Sequence, residues 1–218
     1  MQGLLKLSGL IDGLNERIGR HLIWLVLAAV VISAINAVVR KAFDMSSNAF
    51  LEIQWYLFSA VVMLGSAYTM LRQGHVKIDV IVGRFSKRTQ LIIECLGIVC
   101  FLFPFVYKVN ELVWPLVIQA YHSGEMSENA GGLIRWPAYA LVPAGFILLG
   151  LQGLSELIKR IGFLIGVADD PTKVVQTKTA EEELAEEIRK HQVAPEVIVR
   201  VEDSLDMHAD KGKTGSVK

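Results

Sequence analysis

Four long blocks of apolar residues dominate the pattern along the chain: 22–39, 53–71, 91–113 and 136–157. Each block is close to the ~20 residues that an α-helix needs to cross a bilayer whose hydrocarbon core is ~30 Å thick. Lipid cannot satisfy backbone N–H and C=O groups, so segments of this kind must be helical. The pattern therefore predicts an all-α integral membrane protein with four transmembrane helices.

The residues ahead of the first block show a different periodicity. Five apolar residues recur at spacings of three and four: Leu4, Leu7, Ile11, Leu14 and Ile18. Such spacing places them on one stripe of a helix that is too polar to span a bilayer. We therefore predict an amphipathic N-terminal helix over residues 1–20 that lies in the membrane interface. The alternative is an ordinary helix packed on the rest of the protein.

The chain changes character after the fourth block. Residues 169–218 hold 12 acidic and 8 basic residues, whereas residues 1–168 hold 10 and 14. Thr179 followed by Glu182 has the spacing of a helix capping box, and the composition of the last residues is typical of a disordered segment. We predict a four-helix membrane domain over residues 21–168 and, after it, a polar acidic tail that is partly helical and then disordered.

Lys and Arg residues are concentrated on one side of the predicted membrane domain. Cytoplasmic loops carry an excess of these residues, and placing both termini in the cytoplasm gives 10 of them inside and 4 outside. The first block is longer than the ~7–15-residue core of a signal peptide, and Arg40 and Lys41 follow it. We therefore expect an uncleaved membrane anchor with both termini cytoplasmic.

Enzymatic, metal and nucleic-acid chemistry find little support in the sequence. Cys95 and Cys100 lie inside the third block without the spacing of a zinc or redox site. His75 and Asp79 have no third ligand nearby in the sequence, and the chain lacks a phosphate-binding loop and a nucleophile elbow. The net charge of zero is unlike that of a nucleic-acid-binding face. We expect no enzymatic activity, no cofactor and no nucleic-acid partner.

Ionisable residues inside membrane spans are the best pointers to function. Four qualify: Glu52, Glu94, Lys108 and Glu111. Glu52 opens the second block, where the positive end of a helix favours a carboxylate, and Lys108 and Glu111 are spaced to form a pair. We place all four towards the ends of their blocks, away from the centre of the membrane. This predicts interface anchors and helix–helix contacts rather than an ion relay.

One stretch resembles the signature of a known family. "EIQWYLFSAVVMLGSAYTMLRQGHVKID" resembles the small membrane subunit of TRAP (tripartite ATP-independent periplasmic) transporters, the DctQ-like family. The residues that carry the likeness open the second span, lie within it, or follow it in the cytoplasmic connection: Glu52, Gly65, Arg72, Gly74, His75, Lys77 and Asp79. "RWPAYALVPAGFILLGLQGLSELIKRI" is similar to the last span of the family. The resemblance covers about residues 5–165, so the tail lies beyond it.

The resemblance implies a role in a three-part uptake system of a prokaryotic inner membrane. A periplasmic substrate-binding protein delivers an organic acid, and a large membrane subunit carries it with sodium and without ATP. The small subunit binds the large one as a scaffold in the lipid bilayer and meets the binding protein transiently. Sodium coupling is expected in the large subunit, and the choice of substrate belongs to the other two components.

Small residues and polar contacts drive helix association in lipid, which suggests a partner surface on the second and fourth spans. We predict that this surface includes Glu52, Gly65, Arg72 and Gly145. Two alternative functions remain. One is the small four-helix subunit of a tricarboxylate-type tripartite transporter, against which the "RQGHVKID" element argues. The other is the membrane anchor of a redox enzyme, which would want paired histidines on facing helices.

Overall fold

The computed structural model of the protein describes residues 1–43, 47–74, 84–168 and 171. Three residues of the predicted family motif, His75, Lys77 and Asp79, lie outside these ranges, as do the predicted helix and disorder of the tail. The described residues form five α-helices: α1 (Gln2–Phe43), α2 (Asn48–Leu71), α3 (Lys87–Gly97), α4 (Phe103–Ser123) and α5 (Trp136–Leu164). One π-helical turn, Ile98–Leu102, joins α3 to α4 without a break.

Four of the described helical segments are long and apolar enough to cross a membrane: α1, α2, the continuous segment Lys87–Ser123, and α5. The prediction of an all-α membrane protein with four transmembrane helices is confirmed. Local sequence sets the limits of the third segment. The Ser86 hydroxyl accepts a hydrogen bond from the Thr89 amide at its start, and Gly124 ends it with a φ of 62°.

The N-terminal segment is not a separate helix, because α1 runs through it into the first span. Residues 2–43 contain no proline and no residue with positive φ, so nothing divides the helix. At ~1.5 Å per residue, α1 is about 60 Å long. Its first half buries Ser8, Ile11 and Asn15, and Ser8 and Asn15 find partners on α5. The first half of α1 therefore packs on α5 through matching polar stripes, and its place in the membrane interface stays a prediction.

Helix α5 is the centre of the bundle. It runs antiparallel to α1 and to the α3–α4 segment, and parallel to α2. In its most apolar stretch 39% of the residues are buried within the chain, against 0–11% in the other three spans. Gly145 lets the helix approach α2 closely, since a Cβ there would lie only 2.6 Å from the Met63 carbonyl oxygen. The other helices therefore pack around α5.

The outward faces of the bundle are apolar. On α1 they expose Trp24 and Val30, and on the third segment Phe101 and Leu112, all at least half exposed. A soluble protein rarely exposes so much contiguous apolar surface. These faces therefore suit lipid or a membrane-embedded partner.

Candidate functional site

Polar side chains gather at the two ends of the bundle. The loop end holds Glu52 and the connection between α4 and α5, residues 124–135. The N-terminal end holds the first half of α1, the end of α2, α3 and the last turns of α5. Each end joins parts of the chain that are far apart in sequence.

The connection at the loop end is a small hairpin, called here the 124–135 hairpin. Met126 and Ile134 form an antiparallel bridge, which is flanked by a hydrogen bond of 2.9 Å from the Ser127 amide to the Leu133 carbonyl. Gly131 has a φ of 70°, which favours glycine at the turn. The segment is therefore an ordered element.

The carboxylate of Glu52 holds this hairpin on the start of α2. Only 4% of Glu52 is exposed, and it accepts hydrogen bonds from the Leu133 amide at 2.6 Å, from Asn129 Nδ2 at 2.8 Å, and from the Ser127 hydroxyl. Gly132 lies against it, since a Cβ there would be 2.7 Å from Glu52 Oε1. Three hydrogen bonds to one buried carboxylate therefore hold the hairpin firmly on the start of α2.

Two further side chains of α2 support the hairpin. The Tyr56 hydroxyl donates to the Ile134 carbonyl at 3.0 Å, and Asn48 Nδ2 donates to the Ala130 carbonyl at 2.9 Å. Within the hairpin, Arg135 pairs with Glu125 at 2.8 Å, and this hydrogen bond is the main cause of a raised pKa of Arg135. The start of α2 therefore fixes both the shape and the position of the hairpin.

At the N-terminal end, α1 meets α5 through an aspartate. Asp12 accepts hydrogen bonds from the Ser155 hydroxyl at 2.6 Å, from Gln152 Nε2 at 3.0 Å and from Lys159 Nζ at 3.1 Å. Asn15 Nδ2 donates to Gln152 Oε1 at 2.7 Å. The acid and the amide of α1 thus face into the bundle, where α5 offers matching donors and acceptors.

Buried ion pairs join α3 and α5 at the same end, and the amide of Gln73, just after α2, adds a hydrogen bond to them. Arg160, only 3% exposed, donates through Nε to Glu94 Oε2 at 2.7 Å and through Nη1 to Glu156. Glu156, 1% exposed, also pairs with Lys159 and accepts from Gln73 Nε2 at 3.2 Å. Every one of these buried charges has an opposite partner, as a low-dielectric site requires. We call the linked set Asp12, Gln73, Glu94, Gln152, Ser155, Glu156, Lys159 and Arg160 the N-terminal-end cluster.

Beside this cluster, Arg72 ties the end of α2 to α1. Its guanidinium lies 2.5 Å from Glu16 Oε1 and 5.4 Å from the centre of the Tyr68 ring. Gly74 follows in the predicted family motif, and its amide donates to the Thr69 carbonyl at 2.9 Å as α2 ends. The two described members of the predicted family motif, Arg72 and Gly74, therefore lie where the helix ends, and Arg72 holds that end on α1.

A cavity of about 450 Å³ opens between α2 and the third segment, next to the same cluster. Its walls are mostly apolar and include Met70, Ile98 and Leu149, whereas Glu94 and Arg160 lie at its polar end. The π-helical turn contributes to the wall. Among the residues that the structure describes, no group of three His, Cys, Asp or Glu side chains is placed to hold a metal ion.

The predicted subunit-interface residues all have contacts within the chain. Glu52 and Gly145 are buried, the first by the hairpin and the second by α2. Gly65 faces Leu22 of α1, and Arg72 pairs with Glu16. Contact between these residues and another subunit stays a prediction.

The predicted pairing of Lys108 with Glu111 is confirmed at 2.9 Å, whereas their depth in the membrane stays a prediction. A little over ~20 Å of helix separates Lys108 from Glu94 at one polar end of the bundle and from Gly124 at the other. The Phe105 ring, one turn away, lies 5.5 Å from that of Phe146, near the middle of α5. The pair therefore lies midway between the two polar ends of the bundle. The third helix extends ten residues beyond its apolar block, to Ser123.

Most of the N-terminal-end cluster was missed in the sequence, although a signal was present. Ser8, Asp12 and Asn15 are spaced by four and three, as are Gln152, Ser155 and Lys159 by three and four. Two polar stripes of helical period on the first and last spans suggest that they face each other. The partners of Glu52 gave no such signal, because a hairpin more than seventy residues away supplies them.

Fold and contacts together define a multi-pass helical membrane protein whose spans are tied to one another at both ends. The sequence model of the family described as "Tripartite ATP-independent periplasmic transporters, DctQ component" matches residues 21–162, which is more than half of the chain. The chain belongs to this family, and the resemblance seen in its sequence is confirmed. A comparison with curated proteins finds none that matches. Membership implies the small membrane subunit of a TRAP transporter, in a family of transporter components rather than enzymes.

Proposed function

We propose that this protein is the fixed scaffold of a TRAP transporter, on which the large membrane subunit moves during sodium-coupled, ATP-independent uptake of an organic acid. One observation carries the proposal: the N-terminal-end cluster links α1, α2 and α3 to α5 through buried polar and ionic contacts. Such a network resists sliding of one helix past another, since breaking a buried ion pair is strongly destabilising. A scaffold needs this rigidity.

In this proposal the other components carry the transport chemistry. The large subunit binds sodium and substrate, and this chain holds no cofactor. In support, the most buried charged groups described, Glu52, Glu156 and Arg160, are all satisfied by partners inside the chain. They are committed to holding the bundle together and leave no free ligand for a transported ion.

We place the protein in a prokaryotic inner membrane with both termini in the cytoplasm. The excess of Lys and Arg at the N-terminal end supports this orientation. The 124–135 hairpin then lies on the periplasmic side, where the substrate-binding protein approaches. Its Glu128 side chain is 89% exposed and offers an acidic contact to that protein.

Co-expression with the large subunit of the same transporter tests the scaffold role. We expect the two chains to co-purify in mild detergent, and uptake in proteoliposomes to require both. Arg160→Met should reduce uptake together with the stability of the bundle, whereas Arg20→Met, which removes an exposed guanidinium, should leave both unchanged. Full uptake by the large subunit alone would exclude a scaffold.

A further inference from the structure

The Lys108–Glu111 ion pair is the most unusual feature of the outward surface. The Lys108 side chain is 65% exposed and that of Glu111 is 47% exposed, so both point away from the rest of the chain. Neighbouring outward residues on the same segment, Phe101 and Leu112, are apolar. The ion pair therefore lies on an outward surface whose neighbouring residues are apolar.

The height of the pair makes lipid an unfavourable neighbour. It lies midway between the two ends of the bundle, where the hydrocarbon core contains no water to solvate charges. Ionisable residues at this depth are costly, and almost all of them face protein or a water-filled cavity. Lys108 needs a far longer reach to the headgroups than a residue near a helix end does.

A proline on the same face also favours a polar partner over lipid as the neighbour of this surface. Pro115 lies inside α4, four residues after Glu111. Proline has no N–H, so it cannot donate the usual helical hydrogen bond to the Glu111 carbonyl. In lipid, a carbonyl without its helical donor is costly, and a neighbouring helix with a polar side chain relieves that cost.

We propose that the face formed by Lys108, Glu111 and Pro115, called here the α4 polar face, is the surface that binds the large membrane subunit. The inference rests on the proposed function, since it takes that subunit as the partner. The matching surface is a membrane helix that presents a carboxylate or amide to Lys108 and a donor to Glu111. The proposed interface therefore does not include Glu52 or Gly145, which the chain itself covers.

Site-specific photo-crosslinking in the co-expressed complex tests this assignment. A benzophenone amino acid replaces Leu112, beside the α4 polar face, or Val30 on α1; the two positions are 68% and 60% exposed. We expect Leu112 to crosslink to the large subunit and Val30 to give no such product. If Val30 alone crosslinks, if neither does while the chains still co-purify, or if Leu112 captures a second copy of this chain, the assignment is overturned and the scaffold role stands. Failure to co-purify with the native chain would overturn the scaffold role itself.

A charge swap separates an interface role from a structural one. Lys108→Glu with Glu111→Lys keeps the ion pair within α4 and the net charge, but it presents the reversed charges to a partner. We expect about tenfold less large subunit to co-purify, while the purified small subunit keeps its thermal unfolding midpoint. Lys108→Arg serves as the conservative control and should retain binding. Unchanged co-purification by the swapped variant would contradict the proposal.

Discussion

At the scale of single residues, buried carboxylates accept many of the hydrogen bonds that connect distant parts of the chain. Glu52 satisfies three donors of the 124–135 hairpin, and Glu156 satisfies four donors of the N-terminal-end cluster, one just after α2 and three on α5. Each acid is almost completely covered, so its contribution comes from full pairing rather than from charge alone. Substitutions that keep the shape but remove one acceptor are therefore informative.

Glu52→Gln should loosen the hairpin. The amide offers one acceptor oxygen in place of two, so at least one of the donors from Asn129 and Leu133 loses its partner. An unsatisfied buried donor costs about 1–3 kcal/mol. Hydrogen exchange across residues 126–134 should become faster as a result. Glu128→Gln alters an exposed acid of the same hairpin and should leave exchange at the native rate.

Arg160→Met should destabilise the N-terminal end severely. It removes one partner of Glu94 and one partner of Glu156, which keeps its pair with Lys159, and breaking a buried ion pair costs about 3–5 kcal/mol. Denaturant titration of the purified protein in micelles measures this change. Arg20→Met removes one half of an exposed pair and should cost no more than about 1 kcal/mol in the same assay. Similar losses of unfolding free energy in the two variants would contradict the expectation that the buried pair contributes more than the exposed one.

At the scale of helices, glycines decide how closely α5 approaches its neighbours. Gly145 meets the backbone of Met63, while Gly150 and Gly153 meet side chains of the third segment at Val106 and Leu102. Lipid provides no hydrophobic drive between helices, so close van der Waals contact is the main source of their attraction. The small residues that suggested an outer interface in the sequence are used inside the chain.

Gly145→Ala should separate α2 from α5. The new methyl group meets backbone atoms of Met63, which cannot rotate away as a side chain can. Over-packing of this kind costs about 1–3 kcal/mol. Gly13→Ala is the matched control, since nothing lies within 4 Å of a Cβ there and alanine favours a helix. A native or raised unfolding midpoint for Gly145→Ala would show that the contact is not tight.

The helices were predictable, but their heights relative to one another were not. Lipid forces long apolar segments to be helical, so the four spans follow from composition alone. Nothing in the apolar blocks states which residue of α4 lies beside Phe146. Likewise, the periodicity of α1 revealed its apolar stripe, whereas the polar residues Ser8 and Asn15 determine its packing on α5.

At the scale of the whole molecule, the buried charges of the bundle are satisfied within the chain, whereas its apolar outer surface has no cover from the part of the chain that the structure describes. Its buried charged groups are paired at both ends, yet much of the surface of α1 and of the third segment is uncovered and apolar. Further internal packing would add little stability to such a molecule, whereas a partner that covers the apolar surface would add much. This is the balance expected of a subunit rather than of a transporter that acts alone.

Binding of the large subunit should therefore raise the stability of the small one. A partner that binds only the folded state adds about 2.7 kcal/mol when its free concentration is 100 times the dissociation constant. Thermal unfolding of the small subunit, followed with and without the large one in the same detergent, measures the effect. The midpoint should rise with the concentration of the large subunit. A midpoint that does not depend on that concentration would mean that the bundle is complete by itself.

The π-helical turn at Ile98–Leu102 has a consequence for insertions and deletions. Residues four apart on an α-helix drift by about 40° per step, yet Glu94, Leu102 and Val106 all reach α5. The wide turn accommodates one extra residue and cancels that drift. Loss of a single codon there would remove that extra residue and restore the ordinary pitch, and the residues before it would keep the face that they turn to α5. Glu94 would then still face Arg160, whereas insertion of one further residue would rotate it by about 100° and undo the ion pair.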